Sequence, residues 1–156
     1  MTVPIQSSTF QQDVPQTEII KIPDVGEWGR DELKHQCFDL RIAVFTHEQG
    51  FPLDVEIDEA DETATHFLLR LVPSSEPIGT IRAVRIGDDY KLSRLVVLKQ
   101  YRKYQFGRAL VLALHEWVVR DAQLRGAPPD SYVRCITHSQ IPVKSFYAKY
   151  VITTVP

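Results

Sequence analysis

The amino-acid sequence predicts an α/β (α+β) domain built round one twisted sheet, and three observations carry that expectation. Short β-branched runs and segments of helical period follow one another as strand, helix, three strands, helix, strand, helix. The three consecutive strands are separated only by turn-forming residues, which favours an antiparallel meander. The 156 residues, 44% hydrophobic and 24% charged, suit a single compact domain with a core of its own.

Residues 1–14 are polar and rich in Ser and Gln, and read as a flexible arm ahead of a single domain over 15–156. Thr17 to Ile22 is β-branched and closed by Pro23, which predicts a strand. From Glu27 to about Phe45, Leu33, Cys37, Leu40 and Val44 recur at helical spacing, so a helix is expected with Trp28 at its start. The next stretch carries Gly50, Pro52 and the carboxylates Asp54, Glu56, Asp58, Glu59, Asp61 and Glu62, and reads as an acidic loop. Such a run is either a solvated face or an attractor for a cationic amine.

His66 to Val72, Ile78 to Ile86 and Leu92 to Leu98 are the meander strands, joined by PSSEP and GDD. Phe106, Leu110, Leu114, Trp117 and Val118 then mark one face of a helix that Gly126, Pro128 and Pro129 end near Arg125. Ser131 to Thr137 is a further strand, and Ile141 to Tyr150 a short helix with Pro142 in its first turn.

Eighteen Lys plus Arg against twenty Asp plus Glu leave a formal charge of −2, so no field over the whole molecule gathers nucleic acid or anionic membrane. No apolar run approaches the roughly 20 residues of a membrane-spanning helix, and Met1 to Gln16 has neither the basic start nor the apolar stretch of a secretory signal. A cytoplasmic protein is the expectation. Cys37 and Cys135 sit in apolar patterns and read as small buried thiols. Metal-ligand spacings such as His-x-x-x-His or Cys-x-x-Cys do not occur, and a metal site is not expected.

Leu92 to Val119 is the segment that carries chemistry. An apolar strand runs into a basic loop with Arg102, Lys103, Gly107 and Arg108, and the loop runs into a long amphipathic helix. The first N–H groups of a helix lack intrahelical partners and sit at the positive end of its dipole, so they can grip a phosphate. Gly107 permits close approach of a ligand, while the three cations supply charge. The same features also describe a solvated basic helix start.

The string Tyr101 to Leu110 resembles the acyl-CoA loop of the GCN5-related N-acetyltransferase (GNAT) superfamily, Arg/Gln-x-x-Gly-x-Gly/Ala. Arg102, Gly107, Ala109 and Leu110 fall in register, and Gln105 stands where the pattern has its first glycine. A side chain there is expected to crowd a diphosphate or to take a backbone conformation suited to glycine. Two more segments are similar to the ElaA-like branch: Arg41 to Phe45 followed by Glu48-Gln49, Glu56, Asp58, Asp61 and His66, then Ser139-Gln140 with Ser145 to Tyr150. Three motifs in order over about residues 30 to 150 are more specific than the loop alone.

The resemblance implies a mixed, mostly antiparallel central sheet flanked by helices, in which strands Leu92 to Leu98 and Ser131 to Thr137 splay apart. It implies acetyl-CoA as co-substrate, with its pantetheine amides on the backbone of Leu95, Val96 and Val97. The diphosphate would lie on Arg102, Lys103, Gln105, Phe106, Gly107, Arg108 and Ala109. Tyr147 matches a tyrosine that acts as general acid to the departing thiolate, and Glu48 and His66 are the candidate bases. The acceptor is then a primary amine of a small molecule or peptide; the alternative is a non-catalytic acyl-CoA-binding or protein-interaction module. Where the family continues with a final strand pair, this sequence has Val151 to Pro156, so either a last strand reduced to about VITTV or a shortened product of the gene is expected, with a homodimer as one way to cover the edge.

Overall fold

Thr65–Leu71 (β2) sets the layering of the molecule, which the computed structural model describes for residues 13–53 and 57–138. Successive side chains of a strand point to opposite faces. Phe67 and Leu69 therefore pack into one apolar cluster and Leu68 into another. The first is closed by Phe106, Leu110, Leu114 and Val118 of α2 (Phe106–Leu124), the second by Cys37 and Leu40 of α1 (Arg30–Arg41). Among the described residues three layers result, with α1 on one face of the sheet and α2 on the other.

The sheet has the order β1-β2-β3-β4-β5, where β1 is Thr17–Lys21, β3 Pro77–Ile86, β4 Asp89–Val97 and β5 Cys135–Thr137. β2 to β4 form the expected antiparallel meander, β1 extends it by pairing antiparallel with β2, and β5 lies parallel to β4. The predicted mixed α/β architecture is thus present.

Several boundaries differ from expectation for local reasons. Gly29, at φ 87, precedes the first turn of α1, so the helix begins at Arg30 and leaves Trp28 97% exposed. Beyond Arg41 the backbone widens into a π-helical segment, Ile42–Glu48, in which the Gln49 N–H reaches back to Val44 O at 3.0 Å. Gly87, at φ 61, reverses the chain so tightly that Ile86 pairs with Asp89, and β4 starts there rather than at Leu92. β5 is shorter than Ser131 to Thr137: the Ser131 N–H bonds back to Pro128 O at 3.2 Å, closing a turn over Pro129 and Asp130, and the strand begins only at Cys135. The helix expected over Ile141 to Tyr150 lies outside the described residues.

β4 carries a bulge. Thr80 pairs with Val96 and Arg82 with Ser93, so Arg94 and Leu95 together face Ile81. Arg94 takes φ 56, a left-handed conformation unusual for a residue with a Cβ. The extra residue reverses the alternation: Leu92 packs with α2, whereas Val96, four residues on, packs with α1. Close by, a Cβ on Gly79 would stand 3.1 Å from Val96 O and 3.2 Å from Leu110 Cδ1, so glycine allows α2 to settle on the sheet.

The α1 face holds a buried ionic cluster centred on Asp61. Arg41 donates to both carboxylate oxygens (2.7 and 3.0 Å), Arg82 to Oδ1 (2.9 Å) and the Asp58 N–H to Oδ2 (2.9 Å). Asp58 and Asp61 also cap each other across the 3-10 turn Glu59–Glu62. Arg30 adds hydrogen bonds to the carbonyls of Asp61, Glu62 and Ala64. Burial alone would raise the Asp61 carboxyl, but the bonds from Arg41 and Asp58, with the charges of Arg41 and Arg82, take it to about 2. Asp61→Asn leaves two buried guanidiniums short of their anion, and is expected to cost about 3–5 kcal/mol in urea unfolding; a loss under 1 kcal/mol would mean that the cluster is not structurally coupled.

Candidate functional site

The loop and helix start singled out in the sequence come together at the carboxyl end of β4. After Val97 the chain makes a 3-10 turn, Lys99–Tyr104, and then enters α2 through Gln105. Gln105 takes φ 60 and ψ 30, so the residue at the family's glycine position does adopt the conformation that glycine favours. Ala109 N–H is the first to bond back into the helix, to Gln105 O at 3.2 Å. The N–H groups of Phe106, Gly107 and Arg108 therefore stand ahead of the helical ladder.

Phe106 is buried and stacks obliquely on Tyr104 with ring centroids 5.5 Å apart, which anchors the helix start. Lys103 lies with Nζ 5.1 Å from the centre of the Tyr104 ring and is exposed, as is Arg108. Gly107 and Ala109 are partly buried. Backbone donors, two exposed cations and a left-handed corner fit an anionic ligand such as a diphosphate.

Arg102 is engaged differently. Its Nε donates to Val97 O at 2.9 Å, and its two terminal nitrogens grip the Glu48 carboxylate at 2.5 and 2.7 Å. Glu48 closes the π-helical segment, so this fork joins the segment after α1 to the loop before α2. The hydrogen bond from Arg102, with its charge, holds the Glu48 carboxyl below the usual range and the Arg102 guanidinium above its own.

Leu95 is the second residue of the bulge, and Val96 and Val97 follow it. β5 accompanies β4 only from Tyr90 to Leu92, and among the described residues no strand pairs with that edge over Ser93–Val97. Among the described residues, pairing of β4 with β5 thus ends at Leu92.

His66 lies elsewhere, on the α1 face, with 0% exposure. Its Nε2–H donates to Asp61 O at 3.1 Å, its ring meets Phe38 edge-on, and Nδ1 has no hydrogen-bond partner. Burial is the chief reason that its pKa falls to about 4, against the pull of the Asp61 carbonyl and charge. Part of the acidic loop is committed to ion pairs within the fold. Asp58 and Asp61 turn inward onto Arg82 and Arg41, and Glu62 takes Lys34 at 3.1 Å, because buried cations on α1 and β3 need those anions. Asp54, Glu56 and Tyr147 lie outside the described residues. Both cysteines are free, and burial pushes each thiol up to about 11.

The sequence reading missed Arg82 and Arg94. Arg82 had a signal, a cation at an inward position of the apolar run Ile78 to Val84. Arg94 had none, because its importance rests on a bulge that only strand pairing creates.

The chain was compared with known proteins. Residues 31–149 match the model of the Acetyltransferase (GNAT) family. A Bacillus subtilis (strain 168) protein named "Putative acetyltransferase BSU40680" is 34% identical over 118 residues, 74% of this chain and 73% of that protein. Among solved structures, a Lactobacillus plantarum protein described as a "putative N-acetyltransferase" superposes with a TM-score of 0.66 at 28% identity, covering 86% of this chain and 82% of the other. Escherichia coli ElaA gives a TM-score of 0.65 at 20% identity over 86% of this chain and 85% of its own, a likeness of fold.

Two outcomes follow from the site's electrostatics. The folded pKa of His66, about 4, lies below its ordinary 6.5, so the unfolded chain takes up the proton first. Its contribution is intact above pH 6.5 and is lost as pH falls towards 4, a drop on the order of 3 kcal/mol. His115, also lowered by burial, acts in the same direction, so the comparison of wild type with His66→Gln isolates His66. The variant should show a flatter unfolding free energy between pH 6.5 and 4, and parallel profiles would contradict the assignment. Separately, Arg102→Ala should raise the Glu48 carboxyl towards its ordinary value in a carboxyl-carbon NMR titration; an unmoved midpoint would mean that the fork is absent in solution.

Proposed function

The chain belongs to the GNAT acetyltransferase family, and from that premise we propose that it moves an acetyl group from acetyl-CoA to a primary amine of a small molecule or peptide. The observation that carries the proposal is the junction of β4 with α2, where the N–H groups of Phe106, Gly107 and Arg108 lie beside Lys103 and Arg108 at the end of an edge without a strand partner among the described residues. A diphosphate on the helix start lets a pantetheine arm run along Leu95, Val96 and Val97, whose backbone groups suit its amides.

In this reading the amine attacks the thioester carbonyl directly, the carbon–sulfur bond breaks, and Tyr147 delivers a proton to the thiolate. A phenol at its ordinary pKa of about 10 is a suitable donor to that leaving group. Glu48 is the base that takes the amine's proton. It is the candidate open to solvent, whereas the His66 ring is enclosed and already bonded to a backbone carbonyl. Arg102 serves both Glu48 and the diphosphate; releasing Glu48 to grip the phosphate would bring the carboxylate back towards its ordinary basicity.

Isothermal titration with CoA and a thiol-release assay with acetyl-CoA over an amine panel test the proposal. Binding with release on at least one amine supports it. Binding without release on any amine favours a non-catalytic acyl-CoA-binding module, and no binding at millimolar CoA removes both readings. Tyr147→Phe should slow turnover on the order of a hundredfold with little change in CoA affinity; an unchanged rate excludes Tyr147 as the acid. Gln105→Gly should tighten CoA, since the backbone is already in glycine's conformation and only the side chain is removed from the cradle. Weaker binding would mean that the side chain makes a contact of its own.

A further inference from the structure

The bulge on β4 holds a non-glycine residue in a left-handed conformation, which persists only where surrounding contacts enforce it. Contacts from the acidic turn and from β3 reach it. Arg94 donates to Asp58 Oδ2 at 3.3 Å, while Arg82 donates to Asp58 Oδ1 at 2.7 Å and, through Nε, to Ser93 Oγ at 3.1 Å. Ser93, the last paired residue before the bulge, and Arg94, the first residue in it, are thus tied to the Asp58–Arg82 pair. Asp58 is itself fixed, because its N–H donates to buried Asp61. The bulge also lies just past the last pairing of β4 with β5, at Leu92 and Thr137. An extra residue there turns the following backbone groups away from the regular ladder direction.

We propose that Asp58 and Arg94 form a clamp that holds the bulge and so sets the direction in which the β4 backbone presents Leu95 and Val96 to the acyl-CoA arm. Arg94 is then a positioning residue whose backbone matters and whose side chain acts only as an anchor. The inference rests on reading the β4 edge as the acyl-CoA site.

Glycine separates backbone from side chain, because it adopts φ 56 without an anchor. CoA affinity by isothermal titration and the backbone amide resonances of Ser93 to Val97 are measured for wild type, Arg94→Ala, Arg94→Gly, Asp58→Ala and Asp58→Ala with Arg94→Gly. Arg94→Ala and Asp58→Ala are expected to move those amides and to weaken CoA about tenfold. Arg94→Gly should bind more tightly than Arg94→Ala, and adding it to Asp58→Ala should recover most of the loss. A role confined to stability would not be rescued by glycine. The clamp is overturned if Arg94→Gly is as weak as Arg94→Ala, or if neither Arg94→Ala nor Asp58→Ala moves the amides. Should the wild-type protein itself fail to bind CoA, the reading of the site falls, and the amide shifts still decide whether the clamp exists.

Discussion

One buried carboxylate organises this molecule. Asp61 is enclosed between α1 and the sheet, where an anion is tolerated only if its oxygens are matched by donors, and Arg41, Arg82 and the Asp58 N–H supply them. Each donor belongs to a different part of the chain. Arg41 is the last residue of α1, Arg82 is in the middle of β3, and Asp58 opens the acidic turn. Satisfying Asp61 therefore fixes the end of α1 against the sheet and folds the turn over the same spot.

Consequences spread outward from there. The π-helical segment starts from the pinned end of α1, and its last residue, Glu48, meets Arg102 in the loop before α2. Asp58 extends the cluster to Arg94 on β4. Both flanks of the proposed acyl-CoA edge are thus connected to one ionic core, although Glu48 lies 54 residues from Arg102 and Asp58 lies 36 from Arg94. The bidentate fork of Glu48 and Arg102 is partly exposed and so worth little to folding. In the proposed function its importance is chemical, since the same guanidinium that lowers the carboxylate's basicity is a natural ligand for phosphate.

Much of this was legible in the sequence where local chemistry decides. The Gly87 turn made the β3–β4 hairpin readable, and the period of Phe106, Leu110, Leu114 and Val118 identified α2 and its buried face. The cradle was readable because a helix start after a basic loop has the same electrostatics in any fold. Gln105 too behaved as its position required, taking the left-handed conformation despite its side chain. His66 and the acidic loop were harder. A histidine beginning an apolar strand and a run of carboxylates each admit a solvent-facing or an inward reading, and only the location of their partners chooses.

Sequence alone determined the order of the elements, the helix faces, the basic loop ahead of α2 and, through three ordered motifs, the family. Tertiary structure decided which charges are spent inside. Arg82 lies 21 residues from Asp61, and Arg94 lies 36 from Asp58; neither pairing has a local signature. The bulge belongs with them, because it exists only as a mismatch between β3 and β4 once they pair. Periodicity and turn chemistry are properties of neighbouring residues, whereas burial of charge and strand register depend on what the fold brings alongside.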